Sequence, residues 1–84
     1  MTLQQLKYVI EVAEKGSMSV AAKALFIAQQ SLSNAIKELE KEIKINIFIR
    51  SNKGIRISSE GREFLGYAKQ VIKQVLKIWY KPRI

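Results

Sequence analysis

The clearest signal of the fold lies in SVAAKALFIAQQSLSNAIKELEKEI, residues 19–43. It opens with a short alanine-rich segment, is interrupted at residues 26–28, and continues with an apolar residue at every third or fourth position. Such spacing is typical of helices that bury one face. We therefore predict a short helix, a tight connection over residues 26–28, and a second helix over about residues 29–43.

The longer helix has two chemically different faces. Its buried row is predicted to consist of Leu32, Ile36, Leu39 and Ile43. The opposite face carries side chains that can hydrogen-bond, namely Gln29, Gln30, Ser33, Asn34 and Lys37. In the major groove, Gln and Asn pair with adenine, while Lys reaches guanine or a phosphate. The pattern favours a helix-turn-helix whose second helix reads double-stranded DNA.

The segment before this unit predicts another helix, from about Leu3 to Lys15. Thr2 and Gln5 have the spacing of a capping box, in which two side chains satisfy free backbone N–H groups. Gly16 follows Lys15, as is common where a helix ends. The short alanine-rich helix comes next, with Ser17 or Ser19 as its predicted cap.

A change of period follows residue 43. Isoleucines alternate with other residues at positions 43, 45, 47 and 49 and again at 55 and 57, with turn-forming residues 51–54 between the runs. This pattern indicates a two-stranded β-hairpin. Arg50 at its base and Lys53 at its tip are predicted to contact a phosphate or the minor groove. The hairpin would then be the wing (residues 50–56) of a winged helix-turn-helix.

A final helix is expected to begin near Gly61, capped by Ser58 or Ser59, and to run to Tyr80. The apolar residues at the 3-4-3-4 spacing of a coiled coil are Leu65, Ala68, Ile72, Val75 and Trp79. We call these five residues the seam, and predict that they form a homodimer. Lysines without carboxylate partners recur every four positions at Lys69, Lys73, Lys77 and Lys81. Pro82 cannot continue a helix, so residues 81–84 should fray.

Composition limits the possible functions. The chain has 84 residues, a formal net charge of +8, and neither cysteine nor histidine. Thiolate and imidazole metal ligands are thereby excluded, as are Cys/His and Ser/His catalytic pairs. The excess of positive charge favours a nucleic acid as partner. We expect no cofactor, no metal and no enzymatic activity, and, without a signal peptide or a membrane span, a cytoplasmic location on the nucleoid.

From Met1 to about Val75 the chain resembles the N-terminal domain of LysR-type transcriptional regulators. The longer matching stretches are residues 1–6, 13–17, 21–25 and 58–61. Shorter matches fall on Gln29, Leu32-Ser33, Ile36, Leu39-Glu40, Phe48 and Arg50. Their order and spacing are kept without a gap.

The resemblance implies a mainly α fold with a small β-hairpin: a winged helix-turn-helix over residues 1–58, then a dimerising linker helix over residues 59–80. Carried over by position, the operator contacts fall on Gln29, Gln30, Ser33, Asn34 and Lys37, and the wing contacts on Arg50 and Lys53. The family often has Ser or Thr at the position of Ala28 and Pro at that of Gln30. Ala28 cannot cap the recognition helix.

The family's C-terminal effector domain has no counterpart in this sequence, so we expect a truncation, a cloned domain or a short gene. A small-molecule effector is then expected only where a parent protein carries that domain. The main alternative is a helical interaction module with incidental DNA affinity, which would not need the amide-rich face of residues 29–37. A peptide bound to a membrane surface explains the apolar rows less simply than a dimer does. An enzyme is the weakest alternative, because no carboxylates converge.

Overall fold

The computed structural model describes residues 1–80, so the tail predicted to fray, residues 81–84, lies outside the described residues. In chain order the elements are α1 (Leu3–Lys15), α2 (Met18–Leu25), α3 (Gln29–Ile43), β1 (Phe48–Ser51), β2 (Gly54–Ile57) and α4 (Ser59–Tyr80). The three helices, the hairpin and the final helix therefore follow one another as predicted. The predicted bounds of α1 and α3 are confirmed to the residue.

Local signals define the ends of α1. The Thr2 hydroxyl accepts the Gln5 backbone N–H at 3.0 Å, and the Gln5 side-chain oxygen accepts the Thr2 N–H at 2.9 Å. This is the predicted capping box, which satisfies two N–H groups that the helix leaves free. Gly16 ends the helix with φ of 65°, a left-handed conformation that glycine adopts without steric cost.

The connections around α2 are short. Ser17 caps α2 by accepting the Val20 N–H at 3.2 Å, which decides between the two predicted caps. Phe26 then turns the chain through a left-handed conformation, and α3 begins three residues later. Ala28 stands at the N-cap of α3 and makes no side-chain hydrogen bond there, as its methyl side chain requires.

The alternating isoleucines were misleading at their first three positions, Ile43, Ile45 and Ile47, which all precede the strand. Ile43 ends α3, Lys44 turns the chain with φ of 61°, and the strand begins only at Phe48. The Glu40 carboxylate explains the difference, because it accepts the backbone N–H groups of Ile47 and Phe48 at 2.8 and 3.2 Å. A carboxylate on α3 thus holds a loop over residues 44–47 in place, and Ile47 is fully buried.

The hairpin is antiparallel, with Phe48 opposite Ile57 and Ser51 opposite Gly54. Its two-residue tip is Asn52-Lys53. Gly54 has φ of 117°, a conformation that side chains rarely allow. The tip is held by Ser51, whose hydroxyl accepts the Lys53 N–H at 3.3 Å.

The core lies where α1, α2 and α3 meet the end of the 44–47 loop. Its completely buried members are Val9, Val12, Ala21, Leu32, Ile36, Leu39 and Ile47. The buried row of α3 predicted from the spacing is thereby confirmed for Leu32, Ile36 and Leu39, while Ile43 is half-buried against the same cluster. Burial of this face leaves the amide-rich face of α3 turned to solvent.

The last helix begins at Ser59, which is the bound that the resemblance implies and lies two residues before the start expected near Gly61. The Ser58 hydroxyl accepts the Gly61 N–H at 2.8 Å and donates to the Asn46 carbonyl, while the Ser58 N–H donates to the Ile47 carbonyl at 2.9 Å. A Cβ at Gly61 would lie 2.1 Å from that Ile47 oxygen, closer than any real contact. We call this contact between α4 and the 44–47 loop the junction. It fixes α4, which also packs along α1, relative to α3.

Candidate nucleic-acid interface

The exposed face of α3 contains the five side chains predicted to read DNA. Gln29, Gln30, Asn34 and Lys37 are exposed and Ser33 is half-buried. They lie together on this face because the apolar residues of α3 are turned into the core. The face presents amide and hydroxyl groups with one positive charge.

Two of these side chains are hydrogen-bonded to each other. The Gln30 Nε2 group donates to Asn34 Oδ1 at 3.0 Å, across one helical turn. Amide side chains four residues apart are neighbours on a helix surface, so the contact is a local one. The two residues were predicted as separate contacts, and the hydrogen bond between them was not predicted.

A third side chain of the face is bonded to the hairpin. Alternate residues of a strand share a face, so Arg50 lies on the same side of β1 as the buried Phe48. From there its Nη1 group donates to the Ser33 hydroxyl at 3.0 Å. Hairpin and α3 are thus joined by polar side chains at the surface, which the sequence could not show because the two residues are 17 positions apart.

Lys53, the other predicted hairpin contact, is exposed at the tip. Within residues 1–80 it takes part in no ion pair, and its ammonium group is open to an anion. Arg50 and Lys53 therefore differ in role: the guanidinium is positioned against α3, while the ammonium extends from a turn.

An open groove of about 270 Å³ lies beside the amide-rich face. Residues of α2, of α3 and of both hairpin strands line it, including Ser17, Met18, Ser19, Gln29, Arg50 and Gly54. The first turn of α2 has backbone N–H groups without helical partners, and such ends favour anions. From the sequence, Ser17 and Ser19 were predicted only as possible caps of α2. The signal that was missed is the proximity of the N-terminus of α2 to Arg50. This proximity can be seen only in the tertiary fold.

The seam divides into two parts. Leu65 packs partly against the core, and Ala68 is only 2% exposed within its own chain. Ile72 and Val75 are half-buried, whereas Trp79 is 74% exposed. Beside Trp79, the exposed side chains of Ile78 and Tyr80 extend the apolar surface of α4. The first two seam residues, Leu65 and Ala68, therefore pack against the body of the chain, and the last one, Trp79, is uncovered.

Among residues 1–80 no group of acidic side chains is arranged to hold a metal ion. No helix in that part of the chain is long and apolar enough to cross a membrane.

Comparison with known proteins places this geometry in a family. Residues 3–62 match the family model described as bacterial regulatory helix-turn-helix protein, lysR family. The regulator CzcR of Bacillus thuringiensis subsp. konkukian is 37% identical over 75 residues, which cover 89% of this chain and 26% of CzcR. The regulator TfdT of Cupriavidus pinatubonensis is 36% identical, over 89% of this chain and 33% of TfdT.

Solved structures give the same result. The DNA-binding domain of BenM in complex with benA site 1 DNA has a TM-score of 0.89 at 35% identity, covering 93% of this chain and 91% of that one. The DNA-binding domain of CbnR in complex with DNA has a TM-score of 0.88 at 34% identity, covering 92% of this chain and 88% of that one. The chain spans about a quarter to a third of the length of the curated relatives named above.

Proposed function

Since this chain belongs to the lysR family of bacterial regulatory helix-turn-helix proteins, we propose that it is a DNA-binding domain that reads a specific operator for a bacterial transcriptional regulator. The observation that carries the proposal is the exposed face of α3, where amide side chains lie on a helix fixed by its buried row. Asn and Gln are the side chains that pair bidentately with adenine in the major groove. A catalytic role forms no part of the proposal.

In the proposed complex α3 lies in the major groove with Gln29, Gln30, Ser33, Asn34 and Lys37 towards the base edges. Arg50 and Lys53 of the hairpin contact the backbone or the minor groove. The groove between the first turn of α2 and Arg50 accepts a phosphate, since a helix N-terminus and a guanidinium both favour an anion there. Phosphate contacts fix the register of the protein, and the amides of α3 supply sequence preference.

The domain acts as a homodimer in this proposal. Residues 1–58 form the DNA-binding unit, and residues 59–80 supply the dimerising helix through Leu65, Ala68, Ile72, Val75 and Trp79. Because Ala68 is already covered by its own chain, the partner helix gains most from the outer seam residues Ile72, Val75 and Trp79. A two-fold dimer requires an operator with two inverted half-sites.

Location and further partners follow from the proposed role. A protein that binds operators works on the nucleoid in the cytoplasm. A small-molecule effector belongs to the proposal only for a parent protein that carries an effector domain.

A second candidate is an interaction module in which DNA affinity is incidental. The exposed side chains of Ile78, Trp79 and Tyr80 favour it, because they form an apolar end of α4 that another protein could cover. This candidate predicts that the chain assembles but shows no base preference. The DNA-reading proposal predicts assembly together with base preference.

Selection from a library of duplexes with a randomised central segment separates the two candidates. The 84-residue chain is used to retain duplexes over several rounds, and the bound DNA is sequenced. The DNA-reading proposal predicts a consensus of inverted half-sites dominated by A·T pairs, and affinity that falls steeply with salt as phosphate counterions are released. Salt-sensitive retention without any consensus would instead support the interaction module.

A further inference from the structure

The hydrogen bond between Gln30 and Asn34 bears on how α3 reads a base. We propose that Gln30 is the positioning residue for Asn34, and that the two amides act as one reading unit in which Gln30 fixes the orientation of the Asn34 amide. This inference rests on the proposed function and deepens it. It also assigns a role to Gln30 beyond that of a separate base contact.

The chemistry of an amide gives the orientation its meaning. An asparagine side chain presents an acceptor oxygen on one side and a donor NH2 group on the other, and a half-turn about the terminal bond exchanges them. Adenine requires them in one arrangement, because its N6 amine donates and its N7 accepts. An asparagine that rotates freely therefore discriminates less well than one held in place.

Gln30 supplies the restraint. Its Nε2 group donates to Asn34 Oδ1 at 3.0 Å, so the oxygen lies towards Gln30 and the NH2 group of Asn34 lies on the other side. The Asn34 oxygen has a second lone pair, which leaves it able to accept from a base as well. Both side chains are exposed. Such a pair is weak in water and becomes stronger where the partner excludes water, which is the condition in a DNA groove.

The neighbouring residues support a preorganised surface. Ser33 is hydrogen-bonded to Arg50, so three of the five proposed readers have their side chains engaged within the protein. Gln29 and Lys37 make no side-chain hydrogen bond with another residue of the described chain. Gln29 is therefore the natural control: an amide on the same face, one residue from Gln30, outside the pair.

The test uses the randomised-duplex selection with six proteins: the native chain, Asn34→Ala, Gln30→Met, Gln30→Lys, Gln29→Met and the double variant that combines Asn34→Ala with Gln30→Met. Asn34→Ala identifies the base pairs at which Asn34 is read, through a loss of roughly tenfold in base preference. Gln30→Met keeps the length of the side chain and removes the donor, so it should lose preference at those same base pairs. Gln30→Lys keeps a donor towards Asn34 Oδ1 and should therefore retain the base preference at those base pairs.

Two further outcomes are specific to a positioning role. Gln29→Met should change the base preference at a different position of the duplex and leave the preference at the Asn34 position intact. Adding Gln30→Met to Asn34→Ala should cause no further loss at the Asn34 position, because the residue being positioned is gone. Circular dichroism checks folding, and a surface substitution on α3 should leave it unchanged.

The inference is overturned if Gln30→Met keeps the full base preference at the Asn34 position. It is also overturned if Asn34→Ala loses preference nowhere, since Gln30 would then have no reader to position. A native chain that selects no consensus contradicts the proposed function itself, which is a separate result.

Discussion

The two halves of α4 differ in what covers them. In the inner half, Gly61 touches the backbone of the 44–47 loop and Ala68 is nearly inaccessible to solvent. In the outer half, Ile78, Trp79 and Tyr80 are 72%, 74% and 79% exposed. One continuous helix thus belongs to the folded body at one end and presents an apolar surface at the other. The inner half fixes α4 to the body formed by α1, α2 and α3, and the outer half leaves an apolar surface uncovered within the chain.

Substitution of Gly61 tests the inner half and should have the largest effect. In Gly61→Ala the added Cβ would meet the Ile47 carbonyl oxygen at 2.1 Å, and backbone cannot move aside as a flexible side chain can. We expect a loss of about 3 kcal/mol in the free energy of unfolding, measured by urea titration. The matched control is Gly66→Ala in the same helix, where nothing lies within 4 Å of the new methyl group. This control should gain about 0.5–1 kcal/mol. Equal effects at both positions would mean that the junction does not fix α4.

Substitution of Trp79 tests the outer half. Large aromatic residues often dominate the energy of an interface, so Trp79→Ser should weaken dimerisation by about 2 kcal/mol, or roughly thirtyfold in the dissociation constant. Because Trp79 is mostly exposed within one chain, unfolding of the monomer at low concentration should change little. Sedimentation over a range of concentrations measures the association, with Lys77→Ser as the control on the same helix. A dimer unaffected by Trp79→Ser would place its interface elsewhere.

Glu40 tests the loop on which the inner half rests. Its carboxylate oxygen accepts two backbone N–H groups, those of Ile47 and Phe48. Glu40→Gln keeps an acceptor and removes the charge, so thermal unfolding should report a loss of about 1 kcal/mol. Glu38→Gln removes the same charge from an exposed position of α3 and should be close to neutral. If the two variants have the same melting temperature, Glu40 does not hold the loop.

The lysines of α4 should give the smallest effect. Lys69, Lys73 and Lys77 take part in no ion pair within residues 1–80, and like charges four apart repel. Lys73→Glu removes two repulsions and adds two attractions, so at about 0.2 kcal/mol each it should raise helix stability by about 0.8 kcal/mol in total. The gain should vanish in 1 M salt, where the screening length is about 3 Å. A gain that persists in high salt would have a cause other than charge.

The predictable parts of the fold were those with local signals. Thr2, Gln5 and Gly16 mark the ends of α1 by their spacing alone, and α3 follows from its apolar period. The strand was misplaced because alternating isoleucines look the same in a strand and in a loop that turns its side chains inwards. The hydrogen bond that the Ile47 N–H donates to the Glu40 carboxylate decides the matter, and such a contact has no signature in sequence spacing.

The candidate site was predicted as a set of residue types, without its internal contacts. The spacing of Gln30 and Asn34 was visible, whereas the bond between Arg50 and Ser33 depends on how the hairpin packs on α3. The 3-4-3-4 spacing of α4 likewise does not show whether an apolar residue packs against its own chain or against a second chain. Ala68 meets its own chain, and Trp79 remains uncovered.

The most direct test of the account compares two variants on two duplexes. Equilibrium binding to the selected consensus and to a scrambled duplex is measured at one salt concentration. Gln29→Ala should weaken binding to the consensus by about 1–3 kcal/mol and leave the scrambled duplex almost unchanged, because non-specific binding depends on phosphate charge. Lys53→Ala should weaken both duplexes alike. Equal weakening of both duplexes by Gln29→Ala would contradict the claim that the amide-rich face of α3 reads bases.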